Sequence, residues 1–149
     1  MKAMNEMKLT FPSRSANEAF ARAAVASFIA QLDPAVDELA DIRTAVSEAV
    51  TNSIVHAYPD TIGSITIQVK LFASGRVVIR VKDRGCGIED VEKAMEPLFT
   101  TGGEDRSGLG FSVMESFSDR LKVSSKKGKG TTVTLEKYIA LRERKTGAL

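Results

Sequence analysis

The sequence predicts an α+β two-layer sandwich, a mixed but mainly antiparallel sheet with helices on one face. Three observations predict it. Two pairs of alternating apolar runs, Ser64 to Phe72 with Arg76 to Val81 and Leu121 to Ser125 with Thr131 to Tyr138, are each joined by a short glycine-bearing turn. Strands joined so tightly pair antiparallel. Two stretches ahead of them carry apolar residues at helical spacing. Neither pair contains a crossover, so the helices must stack on the sheet from outside and cover one face.

Each element follows from local chemistry. Met7-Lys-Leu-Thr-Phe11 alternates in character and stops at Pro12, which makes it a short first strand. Ser15-Ala-Asn-Glu18 has the spacing of a capping box and opens an Ala-rich helix through about Gln31. At Asp33-Pro34 a second helix begins, since Asp can cap and Pro is tolerated at the first helical position. It runs to about His56, ended by Tyr58-Pro59-Asp60. The first hairpin leads directly into Asp83-Arg-Gly-Cys-Gly87. Residues 89 to 106, with Pro97 and paired Gly102-Gly103, read as a short helix and a mobile loop. A last helix spans about Gly108 to Phe117. The basic run Lys126-Lys127-Gly128-Lys129 reads as the turn of the second hairpin rather than a polyanion site. The charged tail from Arg142 frays.

With 149 residues, one domain is expected, its ordered core between about 7 and 138. Apolar residues make up 43% and charged residues 27%, an ordinary globular balance. Lys and Arg exceed Asp and Glu by 21 to 19, and a net charge of +2 gives no footprint for nucleic acid. One cysteine forms no internal disulfide, and one histidine builds no zinc cluster with it. There is no apolar stretch of signal-peptide or membrane-span character, so the expected location is the cytoplasm.

The second helix has two unlike faces. Leu39, Ile42, Val46, Ala49, Val50 and Ile54 recur at core-facing spacing, while Thr44, Ser47, Glu48, Thr51, Asn52 and Val55 form a second stripe. Glu48 and Asn52, four apart, can converge on one ligand. An amide oxygen suits Mg²⁺, and with Asn52 on the metal Glu48 is free to take a proton from an attacking hydroxyl. Alone, the pair reads more readily as a solvated face. In Asp83 to Gly87, a strand ends in a carboxylate that can accept a hydrogen bond from an adenine amine, beside glycines that let backbone approach a flat ligand. Alone, it is equally an ordinary turn. Ser107-Gly-Leu-Gly110-Phe111 opens a helix whose N–H groups favour an anion, with Arg106 placed to touch a terminal phosphate. The Walker pattern is absent. Gly130-Thr131 precedes the final strand.

In this order the four motifs resemble the Bergerat-type ATP-binding fold of gyrase, chaperone, mismatch-repair and sensor histidine kinase domains. Val46 to Asn52 with His56, Pro97 to Thr101, and Arg106 to Phe111 with Val113-Met-Glu115 are more closely similar to the small anti-sigma factor serine kinases of endospore-forming bacteria. The likeness runs from Met7 to about Tyr138. It implies a protein that binds and inhibits a sporulation sigma factor, and that uses ATP and Mg²⁺ to phosphorylate a serine of its anti-anti-sigma antagonist. By the resemblance Glu48 is the general base and Asn52 the Mg²⁺ ligand. Asp83 reads the adenine amine, Gly85 and Gly87 make room for the base, and Thr131 supports it. Thr101, Ser107, Gly108 and Gly110 hold the nucleotide phosphates, with Arg106 on the γ-phosphate. A homodimer is implied, and neither nucleic acid nor membrane is an expected partner.

Two departures stand out. Gly102-Gly103 occupies the place where a lysine and proline often follow, in a loop about one residue short, and Ala57 replaces a common glycine. Arg14, Glu18 and Arg22 on the first helix read as a solvated face, while the resemblance makes them candidates for partner docking. Two other readings share the motifs. One is a binding module in which ATP is structural, and the other a detached histidine kinase catalytic domain. The lone His56 ends the nucleotide helix, and no helical hairpin with an acceptor histidine is present.

Overall fold

The structure, a computed structural model, describes residues 2–88 and 107–141, with the side chains of 107–110 outside the description. The expectations for residues 89–106, including Thr101 and Arg106, and for the tail from 142 lie outside the described residues. Elements follow in the order β1 (Asn5–Pro12), α1 (Ala16–Ile29), α2 (Val36–Asn52), β2 (Ser64–Leu71), β3 (Arg76–Asp83), α3 (Ser107–Ser116), β4 (Arg120–Lys126) and β5 (Gly130–Tyr138). The strands form one sheet in the order β1-β2-β3-β5-β4. All four pairings are antiparallel, so the parallel component of a mixed sheet is not found among the described residues.

Alternation decides which face the helices cover. Leu9, Ile67, Val81, Val133 and Val123 stand side by side across all five strands. The three central members are buried. The adjacent row, Lys8, Gln68, Arg80, Thr134 and Lys122, falls on the opposite side, because side chains one position apart point to opposite faces. Val25 and Ile29 of α1, Ile42, Val46 and Val50 of α2, and Phe111 and Met114 of α3 complete the core.

Three local expectations need correction. Ser15 makes no side-chain cap bond at the start of α1, since its backbone is itself helical at φ −57° and ψ −33°, and the Glu18 carboxylate, the other half of the box, accepts instead from the Ser47 hydroxyl at 2.7 Å. The helix also ends at Ile29, followed by a 3₁₀ turn over Ala30–Leu32. Asp33 does not cap α2. It closes that turn in the left-handed region at φ 53°, and the helix starts at Val36 after Ala35. The cap is one-sided: Glu38 accepts from the Ala35 N–H at 2.8 Å, and alanine has nothing to return. Regular α-helix stops at Asn52, and Ser53–Ala57 widen into a π-helical turn. Such turns are frequent at functional sites.

Candidate functional site

The widened end of α2 meets the end of β3. Asn52, Ser53 and His56 from the helix line a pocket with Asp83 and Gly87 from β3 and its following turn, and with Thr131 from β5. Tyr58 fixes this junction by accepting from the Arg84 N–H at 2.7 Å and donating to the Ser64 carbonyl at 2.8 Å. Four of the expected residues, Asn52, Asp83, Gly87 and Thr131, are therefore brought together. Glu48 is not among them. One turn back along α2, it lines a separate groove with Arg22, Arg43, Thr44 and Ser47.

Asp83 organises the pocket floor. It is 3% exposed, and its carboxylate accepts three hydrogen bonds: the Ser53 hydroxyl on Oδ2 at 2.9 Å, and the N–H groups of Gly85 at 3.0 Å and Thr131 at 3.1 Å on Oδ1. A carboxylate has about four acceptor positions, so one on Oδ2 is left for a donor in the pocket. Sequence reasoning missed Ser53, whose only signal is its place after Asn52 on the core side of the helix. It missed Ser125 as well. That hydroxyl donates to the Gly130 carbonyl at 3.0 Å, accepts from the Ile88 N–H at 2.8 Å, and bonds the Thr131 hydroxyl at 2.7 Å.

The glycines of the box are demanded by the protein's own backbone. A Cβ on Gly85 would collide with the Ala57 carbonyl oxygen, and one on Gly87, at φ 75°, with the Lys126 carbonyl oxygen. Hydrogen bonds hold both approaches: Cys86 N–H donates to Ala57 O at 3.1 Å, and Gly128 N–H donates to Cys86 O at 2.6 Å. The turn is wedged between the end of α2 and the second hairpin. As expected, Lys126 to Lys129 form that hairpin's bend, with Gly128 at φ 80°.

α3 packs against α2 and begins at Ser107, so the backbone of Ser107, Gly108 and Gly110 lies in its first turn. The first-helix residues do not form a simple solvated face. Glu18 accepts from Ser47 and lies 3.8 Å from Arg22 Nη1, tying α1 to the stripe that carries Glu48, whereas Arg14 is exposed. Among the described residues no group of three or more His, Cys, Asp or Glu side chains could hold a metal ion. No described helix is long and apolar enough to cross a membrane.

A family model described as histidine kinase-like ATPase domain matches residues 11–137. An anti-sigma F factor of Thermoanaerobacter sp. (strain X514) is 58% identical over 141 residues, covering 93% of this chain and 97% of its own. The chain belongs to the anti-sigma F factor family, within the histidine kinase-like ATPase domains. The anti-sigma F factor of Geobacillus kaustophilus (strain HTA426) is 54% identical over 138 residues, 91% of this chain and 94% of its own. Among solved structures, the RsbU and RsbW domains of Rv1364c from Mycobacterium tuberculosis share the fold with a TM-score of 0.70 at 22% identity, over 95% of this chain. The histidine kinase domain of Erythrobacter litoralis EL346 blue-light activated histidine kinase does so at 0.56 and 21%, over 82% of this chain. This chain spans 34% of the first solved chain and 60% of the second. Every pocket residue from Asn52 to Thr131 lies inside the matched ATPase segment.

Proposed function

We propose that this protein is an anti-sigma factor that binds and inhibits a sporulation sigma factor, and a serine kinase that phosphorylates the sigma factor's anti-anti-sigma antagonist. The observation that carries the reading is a pocket floored by the pre-bonded Asp83 and lined by Asn52, which stands one helical turn from the half-buried carboxylate of Glu48, in a member of the anti-sigma F factor family. Adenine donates its amino hydrogen to the remaining site on Asp83, beside Thr131 and the turn of Gly85 and Gly87. The first-turn amides of α3, at Ser107, Gly108 and Gly110, face the phosphates with Thr101, and Arg106 neutralises the γ-phosphate.

The residues present fit Mg²⁺ as a cation carried in on the triphosphate. Asn52 offers a single amide oxygen at the pocket, and this metal is commonly held by one or two protein oxygens with phosphates and waters. Bound there, it would neutralise phosphate charge. During transfer the seryl Oγ–P bond forms as the bond from the γ-phosphorus to its bridging oxygen breaks. Glu48 takes the seryl proton and ADP leaves with the electron pair. A cytoplasmic homodimer, with sigma factor and antagonist docking on α1 near Arg14, Glu18 and Arg22, completes the reading.

The test is transfer from γ-labelled Mg-ATP to the purified antagonist. Acid-stable phosphoserine is expected, and Glu48→Gln should keep ATP binding while losing transfer by about 10²- to 10⁴-fold. No label on the antagonist from the wild-type protein would remove the kinase reading and leave a binding module. An acid-labile product would point to histidine phosphorylation instead.

A further inference from the structure

Glu48 lies in a groove of about 330 Å³ rather than in the nucleotide pocket, and the groove has a direction. Ala40, Arg43, Thr44, Ser47 and Glu48 fall at successive three- and four-residue steps, so they form one stripe of α2, faced by Arg22 of α1. Asn52 continues this stripe one turn further, into the pocket floored by Asp83. Glu48 thus stands at the junction of the two cavities. In phosphoryl transfer the attacking and leaving oxygens lie roughly in line, so the acceptor hydroxyl must reach the γ-phosphate from the side away from the nucleotide. At Glu48 that side is the groove.

We infer that the groove seats the serine-bearing segment of the phosphoacceptor, and that Arg43 selects a serine with an acidic neighbour. The inference rests on the kinase reading above. Arg43 is exposed and has no hydrogen-bond or ion-pair partner among the described residues. The charge of Arg22 is shared with Glu18, which also holds Ser47, so Arg43 supplies the uncommitted positive charge of the groove. Ala40 at the far end keeps the floor low. Arg43 precedes Glu48 by five residues, about 7.5 Å along the helix axis at 1.5 Å per residue. An extended chain advances about 3.3 Å per residue. The carboxylate that meets Arg43 therefore lies within about two residues of the acceptor serine. Nearer to Glu48 it would face like charge.

The test uses the antagonist protein in two versions, with Glu or with Lys two residues before its acceptor serine. Wild-type protein should favour the Glu version by about tenfold in kcat/KM, mainly through KM. Arg43→Glu should reverse the preference, and Arg43→Lys should keep it. Affinity for both versions, measured with ADP bound so that no transfer occurs, should follow the same order. ATP affinity of each variant reports that it is folded. Wild-type transfer with a preference that Arg43→Glu leaves unchanged would overturn the role of Arg43 while the kinase reading stands. Absence of wild-type transfer would sink the kinase reading itself, and equal ADP-state affinities would then sink the groove as well.

Discussion

The two walls of the site are built in opposite ways. On the strand wall, Asp83 is buried and accepts hydrogen bonds from three protein groups, so its position is fixed before any ligand arrives. On the helix wall, Thr44, Ser47, Glu48 and Asn52 are half-buried and project from a regular helix. The difference separates recognition from chemistry. In the proposed roles, a carboxylate that reads a base gains from being held rigidly, whereas a proton acceptor and a metal ligand would need access to groups that come and go. It follows that strand-wall substitutions should register in stability as well as function, and helix-wall substitutions mostly in function.

The sharpest way to break that contrast is Asp83→Ala. It leaves the Ser53 hydroxyl and two backbone N–H groups without their acceptor in a buried place, and should cost about 3–5 kcal/mol. Urea denaturation measures it, and ATP binding should be lost at temperatures where the variant is still folded. A loss below about 1 kcal/mol would mean that the floor is not pre-organised. Ser47→Ala probes the helix wall. It removes one part-buried hydrogen bond to Glu18 and should cost only about 1 kcal/mol in the same measurement. A cost equal to that of Asp83→Ala would erase the distinction.

The smallest effect belongs to a control outside both walls. Arg76 Nε donates to Glu136 at 2.6 Å, beneath a cation–π contact with Phe72 at 4.9 Å. That hydrogen bond holds the Glu136 carboxyl below its ordinary value of 4.5, against the opposing pull of burial. A depressed carboxyl contributes stability above its unfolded pKa and loses it as pH falls through the folded one. The deficit of Arg76→Ala should therefore be constant from neutral pH to about 4.5 and shrink below it, read from denaturation midpoints along the acid limb. A deficit that grows on acidification would reverse the sign and exclude this origin.

Much of the fold was legible because it depends on period. The alternation of β2 and β5 and the helical spacing of Ile42, Val46, Ala49 and Val50 survive in the structure nearly as read. The failures cluster where a side chain had two possible partners. Glu18 had its own helix cap or Ser47, and took Ser47, because two helices packed together present an acceptor that a linear pattern does not contain. Asp33 had a cap or a turn, and the 3₁₀ turn after Ile29 placed it in the left-handed region. Asn52, Asp83, Gly87 and Thr131 were foreseen as neighbours, since the family resemblance implies a shared nucleotide pocket. Ser53 and Ser125 were not, since a serine carries no signal until its acceptor is located.

The sequence alone determined the two-layer class, the helix stripe with Glu48 and Asn52, the carboxylate ending a strand, and the family resemblance. These rest on spacing along one element, which the chain fixes locally. Only the tertiary structure decided that Glu48 and Asn52 face two different cavities. It also decided that the glycines yield to the carbonyls of Ala57 and Lys126, and that Asp83 is held by residues 30 and 48 positions away. Those facts depend on how distant segments meet, and packing sets that meeting after the local pattern has been laid down.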